Sequence, residues 1–384
     1  MAFIPYGRQQ VTEGDIAAVV EVLRSDWLTQ GPVVPDFEAA VANACGATHG
    51  VAVNSATSAL HVACLALGLG HGDRLWTSPI TFLASANCAL YCGAQVDFVD
   101  VDRRTGNLSV EALARKLEAA AAANALPKVL VPVHLAGQSC DMAAIGALAQ
   151  RHGVRVIEDA SHAIGGTHRG EPIGNCRHSD ITVFSFHPVK ILTTGEGGMA
   201  LTQDAKLAER MTLLRSHGMT RDPALMERPP DGPWSYDQIA LGFNYRMTDL
   251  QAALGRSQLG RLRDCIDRRE ALANRYDRLL AGLDVSTPRR EPFARSAWHL
   301  YIVQVEPARR RAVFEALRAA DIGVNVHYIP VHTQPHYRRL GFEPGQFPEA
   351  EAFYAGAISL PMYVGLTDAQ QDRVVDVLRH ALQL

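Results

Sequence analysis

The pattern of this chain predicts an α/β fold, with a mostly parallel central sheet covered by helices and a smaller C-terminal α+β unit behind it. Three observations carry that reading. Short apolar runs alternate with helical stretches up to about residue 202, the order of a parallel sheet wrapped on both faces. From about residue 204 the periodicity turns helical, and after a break near 284–297 strand and helix patterns resume. The chain has 384 residues, 47% hydrophobic and 20% charged, enough to bury a large core and to divide into two units, expected at 1–283 and 284–384.

Taken in order, Thr12 and Asp15 have the spacing of a capping box for a helix over 13–24, and WLTQGPVV (27–34) reads as a loop. Apolar strands are expected near 50–54, 74–78, 95–99, 128–133 and 154–158. Helices at 57–68, 82–92, 109–122 and 141–152 separate or follow them. Two more strands fall near 181–185 and 199–202, and then helices over 204–216, 248–263 and 265–282. The Pro- and charge-rich segment 221–237 is a loop able to cover a site. The smaller unit combines strands at 298–305 and 324–328 with helices at 308–320 and 367–382.

The chemistry concentrates at SFHPVK (185–190), followed at once by TTGEGG (193–198), with the apolar run VRVIEDA (154–160) ending near Asp159 upstream. A lysine just beyond a serine, with an aspartate at a strand end, is the layout of a pyridoxal phosphate (PLP) site. The aldehyde needs one lysine free to form a Schiff base, and the pyridine nitrogen is an electron sink only while a carboxylate keeps it protonated. Lys190 and Asp159 fill those roles. Taken singly, each has a plainer reading, as a solvated surface lysine and a helix N-cap; the combination carries the case. A phosphate cradle completes it: a short strand runs into Asn54-Ser55-Ala56-Thr57-Ser58 at the start of a helix. Free backbone N–H groups and the positive end of the helix dipole meet small hydroxyl residues there, which makes Thr57 and Ser58 the anchors rather than only N-caps. No G-x-G-x-x-G or P-loop pattern competes.

Other classes lose support. A net charge of −3 with dispersed basic residues gives no nucleic-acid surface, and no stretch approaches the length of a transmembrane helix. The start MAFIPYGRQQ lacks a signal segment, and seven cysteines without a C-x-x-C imply a reducing compartment, so a cytoplasmic protein is expected. Cys88 and Cys92, one helical turn apart in an apolar run, read as core. His327, His332 and His336 invite a metal reading, but Pro330 and Pro335 interrupt them and the spacing matches no zinc pattern, so no metal is expected.

The succession LTQG (28–31), NSATSAL (54–60), EDASHAIG (158–165), SFHPVK, GEGG, RSHGM (215–219), NYRMTDLQAALG (244–255) and VHYIPVH (326–332) resembles the sugar nucleotide aminotransferases of the DegT/StrS type, in order over nearly the whole chain. NSATSAL, RSHGM and VHYIP are similar to the branch that aminates C4 of a UDP-linked 2-acetamido-2,6-dideoxy-L-arabino-hexos-4-ulose in pseudaminic acid biosynthesis. The resemblance implies the aspartate aminotransferase fold, type I among PLP enzymes, a homodimer, and L-glutamate as amino donor. It implies that Ser185 joins Thr57 and Ser58 at the phosphate, Phe82 stacks on the pyridine ring and His162 lies on its hydroxyl side. By the same resemblance Asn244 reaches the phosphate from the partner subunit, and Tyr6, Asp26, Trp27, Leu28, Thr29, Asn325, Val326, His327 and Tyr328 contact the sugar nucleotide.

Four alternatives stay open. Amination of another nucleotide-linked 4-keto or 3-keto D-sugar differs only in substrate. A PLP-dependent sugar dehydratase of the related kind replaces the lysine with histidine, whereas Lys190 is present. A desulfurase or lyase needs a mobile catalytic cysteine, and neither Cys140 nor Cys176 has the surroundings for one. A non-catalytic binding protein on the same fold would lack Lys190 or Asp159, and both are intact.

Overall fold

The computed structural model describes residues 2–383. At its centre lies a seven-stranded sheet. Its strands are β1 (His49–Val53), β2 (Arg74–Thr77), β3 (Gln95–Phe98), β4 (Val129–Val131), β5 (Arg155–Asp159), β6 (Ile181–Ser185) and β7 (Gly198–Thr202), in the order β1-β7-β6-β5-β4-β2-β3. The pairs among β3, β2, β4, β5 and β6 are parallel, and β7 runs antiparallel to both β6 and β1. All five residues of β6 and all five of β7 are buried, as expected of strands covered on both faces. The expected α/β architecture, a mostly parallel sheet with helices over it, is the one observed.

The cover begins with α1 (Glu13–Arg24), whose Thr12–Asp15 capping box is formed. Next comes α2 (Val33–Cys45), which corrects the sequence reading of a loop over 27–34 with no element after it. Its buried residues Val34, Phe37, Val41, Ala42 and Cys45 follow helical spacing, but Pro32 and Pro35 mask the start. Proline is tolerated there because the first-turn N–H groups have no intrahelical partner. Further along are α3 (Ala56–Ala66), α4 (Ala84–Tyr91), α5 (Val110–Ala122), α6 (Met142–Arg151) and α7 (Ala205–Arg215), then α8 (Asp249–Leu259) and α9 (Leu262–Leu279).

In the C-terminal part, β8 (Tyr301–Gln304) pairs antiparallel with β9 (Ala357–Leu360), with α10 (Arg310–Ala319) and a last helix, Asp368–Ala381, alongside. The strand expected at 324–328 does not form; that run makes one isolated bridge, Asn325 to Ser359, and its side chains serve a cavity wall instead. The second strand is β9, a four-residue run between Gly356 and Pro361 that was not expected as a strand. Ile4, Leu272 and Tyr276 share a core with Tyr301, Val313 and Leu378. For the two-unit division at 283/284 we therefore propose a packed seam, bridged by α9, rather than a free linker. Among the described residues no helix is long and apolar enough to cross a membrane.

Phe98, at the end of β3, is fully buried, with the rings of Phe342 and Phe347 at 5.1 and 5.7 Å. Its contacts tie the sheet edge to the segment beyond residue 330, so Phe98→Ala should destabilise the protein by about 3–5 kcal/mol. A denaturation midpoint equal to that of the wild type would contradict this packing account.

Candidate active site

In open α/β sheets the crevice lies beyond the carboxyl ends of the parallel strands. Here β5 ends at Asp159, β6 ends at Ser185, and β1 leads through Asn54 and Ser55 into α3. A cavity of about 950 Å³ opens at that edge, and its walls include Thr57, Ser58, Phe82, Asp159, His162, Ser185 and Lys190, which the sequence reading had assembled from separate motifs. Tyr6, Asn325, Val326, His327 and Tyr328 close its other side.

Asp159 is buried, and its charge is carried by hydrogen bonds. Oδ2 accepts from the Ser85 hydroxyl at 2.5 Å and Oδ1 from the Ser161 N–H at 3.1 Å. Because Ser85 spends its proton on Asp159, the Thr81 hydroxyl donates to Ser85, at 2.7 Å. Thr81 and Ser85 were not anticipated; their signal was a four-residue spacing near the start of a helix, which is common without function.

Lys190 sits in a tight turn after β6, where its N–H donates to the His187 carbonyl at 2.9 Å. The turn is tied down by Thr193, whose hydroxyl donates to the Phe186 carbonyl at 2.9 Å. Burial in the cavity wall lowers the Lys190 ammonium to about 8, against the opposing pull of Asp159. An amine in that range is a usable nucleophile and proton carrier near neutral pH.

At the start of α3 the N-cap is Ser55, which accepts from the Ser58 N–H at 3.1 Å, while the Ser58 hydroxyl donates to Asn54 Oδ1 at 2.6 Å. Thr57 lies inside the first turn, among N–H groups that have no intrahelical acceptor. Gly198 of β7 presses against this turn: a Cβ there would lie 2.5 Å from the Ala56 nitrogen. Only glycine permits that approach, which explains one residue of GEGG.

Three buried histidines face Lys190. His162 Nδ1 accepts from the Ala136 N–H at 3.2 Å, and its Nε2 lies 3.0 Å from the Tyr328 hydroxyl. Burial holds His162 well below the usual histidine range, and the charge of Lys190 adds to the effect. His327 bonds Ser359 at 2.7 Å and is lowered to about 4 by burial and Lys190. His299, missed from sequence, lies tilted against His162 with the ring centroids 4.4 Å apart and no partner for its Nδ1, and burial and His162 depress it strongly. His332 instead bonds Glu351 at 2.9 Å, away from the cavity. Phe82 is 58% exposed on the rim, so it is not the core residue that an apolar run suggests; its face is available to a flat ligand.

Two groups of expected residues do not line the cavity of their own chain. Asp26, Trp27, Leu28 and Thr29 lie exposed elsewhere, because their loop is anchored on α8: the Leu28 carbonyl accepts from the Asp249 N–H at 3.1 Å and Thr29 bridges to Thr248. Asn244 is also exposed and outside that cavity, touching its rim only through a backbone carbonyl 3.5 Å from Asn54 Nδ2.

A sheet of this order with a lysine and an aspartate at adjoining strand ends has the aspartate aminotransferase-like architecture, fold type I. The chain belongs to the DegT/DnrJ/EryC1/StrS aminotransferase family, whose profile matches residues 9–379. It is 42% identical over 384 residues to the spore coat polysaccharide biosynthesis protein SpsC of Bacillus subtilis, covering 98% of this chain and 96% of that one. Among solved structures it is similar to Helicobacter pylori PseC, an aminotransferase involved in the biosynthesis of pseudoaminic acid, with 30% identity, a TM-score of 0.91 and full coverage (100%) of both chains. It is similar also to the PLP form of Spr1654 from Streptococcus pneumoniae, with 30% identity, a TM-score of 0.90 and coverage of 100% of this chain and 99% of that one.

The lowered amine predicts a titration. Raising the pH frees more of the Lys190 amine, so its acetylation by a limiting reagent, read by mass spectrometry in the cofactor-free protein, should rise with a midpoint near 8. A midpoint near the ordinary lysine value of about 10.4 would show that burial does not act on it.

Proposed function

We propose that this chain is a PLP-dependent aminotransferase that converts the 4-keto group of a UDP-linked 2-acetamido-2,6-dideoxy-L-arabino-hexos-4-ulose to a 4-amine, with L-glutamate as donor. The observation that carries the reading is the Lys190 amine, lowered to about 8, in one cavity with the buried Asp159 and the hydroxyl-bearing start of α3. These residues fit the cofactor. The first turn of α3, Thr57, Ser58 and the Ser185 hydroxyl would hold its phosphate, Phe82 would cover the ring and His162 would serve its hydroxyl side, all of them walls of the one cavity. Asp159, which accepts from the Ser85 hydroxyl and the Ser161 N–H, would hold the proton on the ring nitrogen. Bound there, the cofactor supplies an electron sink and carries the amino group between the two half-reactions.

Lys190 moves the protons. Its free amine takes the α-proton of the donor and returns a proton to C4 of the sugar in the second half-reaction. The neutral histidines beside it add no competing positive charge, and their burial keeps water from the reacting carbon. Tyr6, Asn325, Val326, His327 and Tyr328 form the wall against which the sugar nucleotide lies.

Asn244 and the loop Asp26–Thr29, outside the cavity of their own chain, complete the cavity of a second copy. Trp27 (55% exposed), Leu28 and Leu241 (80% exposed) support this, because they leave apolar surface that a homodimer would cover. Similarity to PseC over both whole chains supports the L-sugar. The higher identity to SpsC, a spore coat polysaccharide protein, favours a second reading, amination of a different nucleotide-linked keto sugar.

Lys190→Ala should abolish turnover, and measurable steady-state transamination by that variant would sink the assignment. Mixed dimers of Lys190→Ala with Asn244→Ala should regain activity above either parent, since one site then has both residues intact; no recovery would place Asn244 outside the partner's site. For the substrate, the enzyme is treated with L-glutamate, freed of donor, and its visible absorbance followed on adding UDP-linked 4-keto-6-deoxy sugars. Recovery of the starting spectrum with the L-arabino sugar alone is expected. Recovery only with the D-xylo sugar would keep the aminotransferase and discard the L-sugar, and no response to either would exclude both.

A further inference from the structure

We propose that the turn 134–138 sets the direction of a hydrogen-bond relay from His162 to Tyr328, so that Tyr328 offers its hydroxyl proton to an acceptor oxygen in the cavity, with Asn107 as the positioning residue. The relay deepens the PLP reading and rests on it only for which oxygen Tyr328 meets.

The direction follows from one backbone group. The Ala136 N–H donates to His162 Nδ1 at 3.2 Å, and a ring nitrogen that accepts an N–H carries no proton. His162 is neutral, since burial and the charge of Lys190 both oppose a second proton. Its single proton is therefore on Nε2, 3.0 Å from the Tyr328 oxygen, and it is the tyrosine that accepts. That bond is the hydrogen bond of the Tyr328 hydroxyl among the described residues, so its own proton is left for a ligand. Burial and the neighbouring Asp159 push the phenol well above its ordinary value, which keeps that proton in place. Tyr328 is then a donor to the cavity and suits a phenolate, carbonyl or phosphate oxygen. With the opposite tautomer it would present lone pairs and favour a ligand hydroxyl.

The turn is built to keep Ala136 aimed. Ala136 has φ 60 and ψ 1, a left-handed conformation that a non-glycine residue adopts only when its surroundings impose it. Asn107, buried and outside the cavity, imposes it from both sides: Oδ1 accepts from the Leu135 N–H at 2.9 Å, and Nδ2 donates to the Gln138 carbonyl at 3.0 Å. The Ala136 and Gly137 carbonyls accept in turn from the Leu300 and Ala297 N–H groups, at 3.2 and 2.9 Å. The Leu135 carbonyl, in the same peptide as the Ala136 N–H, accepts from the Gln138 N–H at 3.1 Å, so turning that peptide away from His162 would break this bond and disturb those on either side.

The test is the tautomer of His162, read from two-bond ¹H–¹⁵N spectra of histidine-labelled protein, with His162 assigned by its loss in His162→Gln. Because it is read first on the cofactor-free protein, failure of the relay is separate from failure to bind PLP. The expected result is a neutral ring with its proton on Nε2 in the wild type, in Ala136→Gly, which keeps the N–H, and in Tyr328→Phe, which removes only the acceptor. Asn107→Ala should give a tautomer mixture. A proton on Nδ1 or a doubly protonated ring in the wild type overturns the proposal, as does a change in Tyr328→Phe, which would make the tyrosine the controlling group. An unchanged Asn107→Ala spectrum removes Asn107 from it. If Asn107→Ala does not fold, Asn107→Asp, which keeps the acceptor for Leu135 and loses the donor to Gln138, should shift the tautomer part-way, and no shift overturns the positioning role. Loss of PLP affinity in Tyr328→Phe, about tenfold, places the acceptor oxygen on the cofactor. Unchanged affinity with a similarly raised KM for the keto sugar places it on the substrate, and neither effect overturns the donor role.

Discussion

The buried carboxylate of Asp159 is the constraint on which the cavity depends. A charge at the end of a covered strand is tolerated only when hydrogen bonds replace its water, and the chain supplies them through Ser85 and the Ser161 N–H. Ser85 belongs to α4 and Thr81 to the approach to it, so the position of that helix is tied to Asp159. Lys190 feels the same dry surroundings with the opposite sign: burial strips its ammonium of water and lowers it to about 8, while Asp159 restrains the fall. The amine is thus left reactive by an environment whose first requirement is to hold a carboxylate.

Strand alternation separates this chemistry from the scaffold behind it. Glu158 and Asp159 are neighbours, so they point to opposite faces of the sheet. Glu158 bonds His134 Nε2 at 2.7 Å and the Ser179 hydroxyl at 2.5 Å. The His134 ring accepts the Cys140 N–H on its other nitrogen, so every polar atom of this buried pair is engaged. His134 opens the turn that reaches His162, and the carbonyls of that turn receive N–H groups from residues 297 and 300. The scaffold and the cavity therefore meet in one short turn, which also joins the sheet to the C-terminal part of the chain.

The antiparallel β7 has a comparable double function. It completes the sheet between β1 and β6, and Gly198 lets its backbone reach the first turn of α3. The helix start that faces the cavity is held by contact rather than by length. Family membership establishes an aminotransferase of the DegT/DnrJ/EryC1/StrS kind. The arrangement of Lys190, Asp159 and the start of α3 supplies the physical reason such a chain needs these residues, and Tyr6 with Asn325–Tyr328 forms the opposite wall of the same cavity.

By itself the sequence determined the alternation that makes a covered parallel sheet, and the residues whose chemistry is special wherever they sit: Lys190 in its tight turn, Asp159 at a strand end, and Ser55 to Ser58 at a helix start. These are local signals, since period, caps and turn residues act over a few positions. It left out α2, whose buried face was regular but whose prolines imitated a loop, and β9, which exists because β8 offers it an edge. His299 and Asn107 carried no local signal either, and Ser85 only a four-residue spacing from Thr81; each matters through a partner distant in the chain. The same holds for Asp26–Thr29, which only the fold could set apart from the cavity of their own chain. Hydrogen-bond partners, burial and the resulting proton affinities arise from contacts between remote segments, and those exist only once the chain has closed on itself.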